Sequence, residues 1–188
     1  MAWKLLIPRL PLKVLPAMLG WTACAALMAG AFGIVHDQVT YTLAPEYYTH
    51  FKFHQFAHAD PGGGPRLFVS VIGFLATWWV GLITGWLLTR CALDPDGNLA
   101  PPGRMLGAFL IMLGVTSLFS AGGYLYGLLR TADGPPEVWR EWLEASEVSD
   151  PVAFLLVGYI HLASYIGGVV GFVVSAVMVR RARAKQAR

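Results

Sequence analysis

Four stretches of this chain, Val14–Val35, Leu67–Thr89, Met105–Leu129 and Val152–Val179, contain no Asp, Glu, Lys or Arg. About 20 apolar residues in a helix cover the roughly 30 Å of a bilayer's hydrocarbon, so each stretch is long enough to span. In lipid the backbone must satisfy its own polar groups, and a helix does so within one segment. Barrel strands would show alternation in blocks of about 10 residues, which is not the pattern here. With 56% hydrophobic and 13% charged residues, the chain also lies outside the composition of soluble domains. The prediction is an all-α membrane protein, a single four-transmembrane-helix bundle over 1–188. Its helices fall at about 14–35, 67–89, 105–129 and 152–179, with connections 36–66, 90–104 and 130–151 and a basic tail 180–188.

Lys and Arg set the expected orientation. Ten of the 14 fall in the N-terminal segment, the 90–104 connection and the tail; Lys52, Arg66, Arg130 and Arg140 lie on the other side. The positive-inside rule then puts both termini in the cytoplasm and the 36–66 and 130–151 connections outside. The net charge of +3 is explained by these anchors and a lipid-touching tail, so nucleic acid is not an expected partner. Cys24 and Cys91 sit away from the oxidising side, and no disulfide is expected. Met1–Pro16 is basic, apolar and proline-broken. It looks like the start of a signal peptide, but the apolar run after it exceeds a signal core of about 7–15 residues, so a retained span is expected.

Gly81/Gly85, Gly123/Gly127 and Gly167/Gly171 each place small residues four apart, a spacing that lets membrane helices approach closely. Asp94–Asn98 fails as a calcium loop because its glycine is displaced and Met105 stands where Glu is needed. Asp60–Pro65 is a turn and lacks the Lys-Ser/Thr of a phosphate loop. In the third connection, Val138, Trp139, Trp142 and Leu143 share one helical face. That predicts a short amphipathic helix with Trp139 and Trp142 as interface anchors. Asp150-Pro151 supplies a cap and first turn for the last helix.

The first connection holds four of the five histidines. Val39, Tyr41 and Leu43 alternate with polar residues as a strand would, and this short extended piece is expected in either of two arrangements. One continues into a hairpin. The other, favoured, starts a helix at Pro45, on which Glu46, His50, His54 and His58 line one face. Imidazole and carboxylate at that spacing suit zinc or copper, although Lys52 beside the row would repel a cation. No cofactor is the leading expectation. The second cluster is His36, Asp37, Tyr41 and Glu46 at the mouth of the bundle, with His161 beneath, the one ionisable residue inside a span, and Tyr165 one turn further on. Intramembrane ionisable groups face the interior and mark function, and a buried His near a carboxylate can handle protons.

His36-Asp37-Gln38, Tyr41-Thr42, Pro45-Glu46-Tyr47, Phe51-Lys52-Phe53 and Gln55-Phe56 together resemble a group of small, uncharacterised bacterial four-span membrane proteins. The resemblance implies a bacterial cytoplasmic membrane location and brings no activity. The group's pattern does not include His50, His54 and His58 together, which ranks the His36/Asp37/Glu46 cluster above the histidine row.

With no nucleophile elbow, paired-cysteine motif or acid–base dyad, an enzyme is not the first expectation. The leading one is a non-enzymatic inner-membrane component whose outward 36–58 segment binds a membrane or periplasmic partner or a small ligand. The second is a small proton-coupled transporter using His161 and the His36/Asp37/Glu46 mouth. The third is a zinc- or copper-binding membrane protein.

Overall fold

The computed structural model describes residues 12–94 and 96–186, side chains from 183 onward excepted. It contains four helices long and apolar enough to cross a membrane. They are α1 (Leu15–Leu43), α2 (Pro65–Cys91), α3 (Pro102–Arg130) and, after the short α4 (Arg140–Ala145), α5 (Pro151–Gln186). Residues 1–11 of the expected Met1–Pro16 segment and the last two tail residues lie outside the described residues.

α1 is where the expected boundaries fail most. It runs eight residues past Val35, so His36 and Asp37 lie within the helix and residues 39–43 are not extended. The helix absorbs its polar residues in two ways. The Thr40 and Thr42 hydroxyls bond back to the carbonyls of His36 and Gln38, at 3.1 and 2.9 Å. Asp37 and Thr40 turn into the bundle while Val39 and Leu43 turn outward. The apolar–polar alternation that imitates a strand does not sort the residues by face here, because at about 100° per residue Thr40 turns inward while Thr42 is exposed beside Leu43. The first connection therefore begins at Ala44 rather than 36. It continues as short helical turns, Pro45–Tyr47, a π turn Tyr48–Lys52, Phe53–Gln55 and Ala57–Ala59, and the hairpin is excluded.

The spans pair as two antiparallel hairpins, α1 with α2 and α3 with α5. Glycines set the spacing. A Cβ added at Gly85 would lie 2.6 Å from that of Ala25, and one at Gly123 would lie 2.6 Å from that of Ala163. At Gly171 it would meet the Met112 carbonyl oxygen at 2.8 Å. The tightest crossing, Gly33 on Gly73, lies outside the predicted glycine pairs. An added Cβ at either would overlap the other's backbone carbonyl oxygen. The hairpins join near the terminal end through an apolar cluster including Leu88, Met105, Phe109, Met112 and Val179. At the connection end a polar cluster joins them instead.

The third connection forms a three-residue turn, Glu137–Trp139, and then α4. Leu143 is buried, and the Trp142 ring packs 5.4 Å from that of Phe154. Val138 is 81% exposed, against the expected common face, because the tighter turn rotates it away from the later residues. Asp150 caps α5 through the Ala153 amide at 3.0 Å, as expected.

Candidate functional site

The polar cluster assembles from three elements. α1 contributes His36 and Asp37, α5 contributes His161, and the π turn contributes Lys52. Tyr48 and Lys52, four residues apart, face into the bundle; His50, His54 and His58 face away and are exposed. π turns recur at functional positions because the extra residue re-aims side chains that a regular helix would fix.

Asp37, Lys52 and His161 are 3, 4 and 4% exposed. The Lys52 ammonium donates to Asp37 Oδ2 at 3.0 Å and to His161 Nε2 at 2.9 Å. His161 Nδ1 lies 2.9 Å from the Val157 carbonyl oxygen, which only accepts, so Nδ1 carries the ring hydrogen. Nε2 then holds the lone pair that receives the lysine proton. Asp37 Oδ1 stands 3.3 Å from this same Nε2 and 3.2 Å from His36 Nδ1. The His36 ring meets the His161 ring edge-on at 4.9 Å, and its other nitrogen is buried with no partner among the described residues.

Aromatic rings wall off the cluster. Tyr47 stacks on His161 at 5.0 Å, and Tyr48 lies 5.3 Å from the lysine nitrogen. The Tyr48 hydroxyl donates to the Asp37 carbonyl at 3.1 Å and shares a 2.6 Å bond with Thr40. Burial and the negative Asp37 raise both tyrosine pKa values, so both stay neutral. Burial pushes the Lys52 ammonium below its ordinary value while Asp37 pushes back. With His161 neutral, the centre carries Asp⁻ and Lys⁺ and no net charge, the arrangement that a low-dielectric site tolerates.

The predicted site residues divide. His36, Asp37 and His161 come together at one depth, with no step between mouth and floor. Tyr165 is 60% exposed, because four residues overshoot a helical turn by about 40° and carry it off the inner face. Tyr41 flanks the site, packing on Tyr48 at 5.3 Å under the Arg66 guanidinium at 4.9 Å. Glu46 is not in the mouth with Asp37. It ties the first connection to the third, accepting from the amides of Asp150 at 2.9 Å and Ser149 at 3.1 Å. Of the histidine row, only His50 approaches Glu46, at 3.9 Å, and it also bonds the Ser146 carbonyl. Among the described residues, the set with metal-ligand geometry is His36, Asp37 and His161, whose donor atoms lie within 4.8 Å of one another. A metal there would compete with the Lys52 ammonium, which already sits against two of the three.

Sequence reasoning missed Lys52, treating it as a charge beside the histidine row. The signal was present: on a helix whose histidines face water, Tyr48 and Lys52 must face the other way. Gln38, read from the sequence as a neighbour of His36 and Asp37 in the mouth cluster, instead serves the helix pairing. Its amide bonds the Arg66 carbonyl at 2.7 Å and Ser70 at 2.9 Å, locking α1 to α2 beside the cluster.

The Asp150 and Ser149 amides hold the Glu46 carboxyl below its ordinary value of 4.5. A carboxyl depressed in the folded state contributes stability above its ordinary value and loses it as pH falls through the lowered one. Glu46→Gln is expected to speed amide exchange at Ser149 and Asp150 above pH 4.5. In strong acid, variant and parent should converge.

Comparison with known protein families, curated proteins and solved structures finds no match.

Proposed function

We propose that this protein is a small proton-coupled carrier of a bacterial inner membrane, multi-pass with both termini cytoplasmic, whose outward mouth is closed by residues 45–59. The reading is carried by one observation: Lys52 donates to both Asp37 and His161, and those two already lie within 3.3 Å of each other. A proton arriving at His161 Nε2 displaces the lysine, because two N–H groups cannot point at each other. The new Nε2–H turns to Asp37 Oδ1, which neutralises the pair without Lys52. The ammonium, left without partners in a dry site, moves to water and takes the 45–59 segment with it. Proton binding and opening of the mouth are thus one exchange. The ten-to-four distribution of Lys and Arg supports the orientation.

Thr40→Cys tests this, since residue 40 is 1% exposed beneath the segment. Acidification is expected to raise its labelling by a water-soluble maleimide-type reagent at least several-fold, after correction for thiolate fraction with an exposed control cysteine. Adding His161→Phe should remove the pH dependence and abolish proton uptake by proteoliposomes. Uptake that survives His161→Phe, or labelling indifferent to pH, would overturn the reading.

Partner recognition is the second reading, and the outward face of the same segment favours it, with His50, His54 and His58 exposed and Phe51 41% exposed. Docking through that face would survive His161→Phe.

A further inference from the structure

Beside the buried cluster, where the third connection meets the first, lies a cleft of about 280 Å³ walled by Tyr47, Phe51, Trp139, Trp142, Phe154 and Tyr159. We infer that this cleft binds a small quaternary-ammonium or similarly bulky organic cation from the outer aqueous phase. The inference deepens the carrier reading by naming its cargo class, and rests on that reading only for the transport step after binding.

The rings stand at steep angles to one another, Tyr47 to Phe51 at 72°, Trp139 to Trp142 at 78° and Trp142 to Phe154 at 52°. Packed at these inclinations, the rings brace one another as a continuous aromatic wall along the cleft. Ring faces carry partial negative charge and attract a weakly hydrated cation without a formal counter-charge. Gly158 also lines the cleft, and a Cβ there would reach ordinary contact with Tyr47 at 3.8 Å. The volume falls at the lower limit of small-molecule sites, about 300 Å³, which suits a compact headgroup better than a flat polycyclic ligand.

Charge complementarity selects a cation over a neutral guest. Residues 130–150 carry six acidic side chains against Arg130 and Arg140, and Arg140 is tied to Glu137. This field draws cations toward the third connection, which supplies Trp139 and Trp142 to the cleft. Tyr47 is the shared wall: it lines the cleft, and its ring stacks on His161 at 5.0 Å. A guest pressing on Tyr47 therefore bears on the centre that holds Lys52.

The test is equilibrium binding of choline and of its uncharged isostere, 3,3-dimethylbutan-1-ol, to the full chain in phosphatidylglycerol nanodiscs without any gradient. Choline is expected to bind at least tenfold tighter. Trp142→Leu, which keeps an apolar wall but removes the ring, should remove most of that preference, and Trp139→Leu should weaken it; unchanged melting would show that both fold. Equal affinity for the two probes, or no saturable binding of choline, overturns the inference. Loss of choline binding in phosphatidylcholine discs would overturn the aqueous source and assign the cleft to a lipid headgroup. Because binding is read without proton movement, it succeeds or fails independently of the carrier reading.

Discussion

Asp37→Asn is expected to unfold the connection end of the bundle, lowering stability by about 3–5 kcal/mol, the usual cost of removing one partner of a buried ion pair. The cost arises from what is left behind. Lys52 would remain 4% exposed, its ammonium facing a neutral amide and one imidazole. The protein would relieve this by expelling Lys52 or by deprotonating it, and either change releases the 45–59 segment. The double variant Asp37→Asn/Lys52→Met should recover most of the loss, because replacing both charges with uncharged groups of similar size is often neutral or stabilising. Thermal unfolding of the two variants in detergent measures the difference. The double variant should also be fixed in one state, with pH-independent labelling at position 40. If Asp37→Asn melts like the parent, the pair is not what holds the segment, and the proposed exchange loses its basis.

Gly33→Ala is expected to cost about 3 kcal/mol, the upper end of the overpacking range, because the added methyl meets backbone and no rotamer change can make room. The obstacle is the Gly73 carbonyl oxygen, with Thr77 Oγ1 beside it. That hydroxyl also bonds the Ala29 carbonyl at 2.7 Å, so separating the helices breaks a polar contact across the crossing. The damage should reach the site. One turn above, Gln38 and Arg66 link α1 to α2 through bonds of 2.7–3.2 Å, and Asp37 adjoins them. Gly122→Ala serves as the control, with nothing within 4 Å of the added Cβ, and should be neutral or stabilising by about 0.5–1 kcal/mol. Melting temperatures of Gly33→Ala, Gly73→Ala and Gly122→Ala, measured side by side, check the assignment.

The helices were legible in the sequence because crossing lipid imposes length and apolarity on each segment independently of its neighbours. Their ends were less so. His36 and Asp37 read as an exit from the membrane, since a charge there is costly unless paired, and the partners lie 15 and 124 residues away. The glycine pairs were legible as a spacing. Which helices they joined was not, and the closest crossing, Gly33 on Gly73, uses one glycine from each helix and so leaves no local spacing to read.

His161 and Asp37 could be marked as candidates from residue type and depth alone. For Lys52 the helical register showed only that it points away from the histidine row, and an outward connection was expected to keep its lysine in water. Only the folding of that connection back into the bundle brings an ammonium to the gap between a carboxylate and an imidazole.

By itself, then, the sequence determined the all-helical class and the four lipid-crossing lengths, both set by the local cost of placing a residue in hydrocarbon. The tertiary structure decided which charges met. Pairing three ionisable groups from α1, the π turn and α5 depends on distances among segments remote in sequence, and low dielectric makes that pairing the condition for burying them at all.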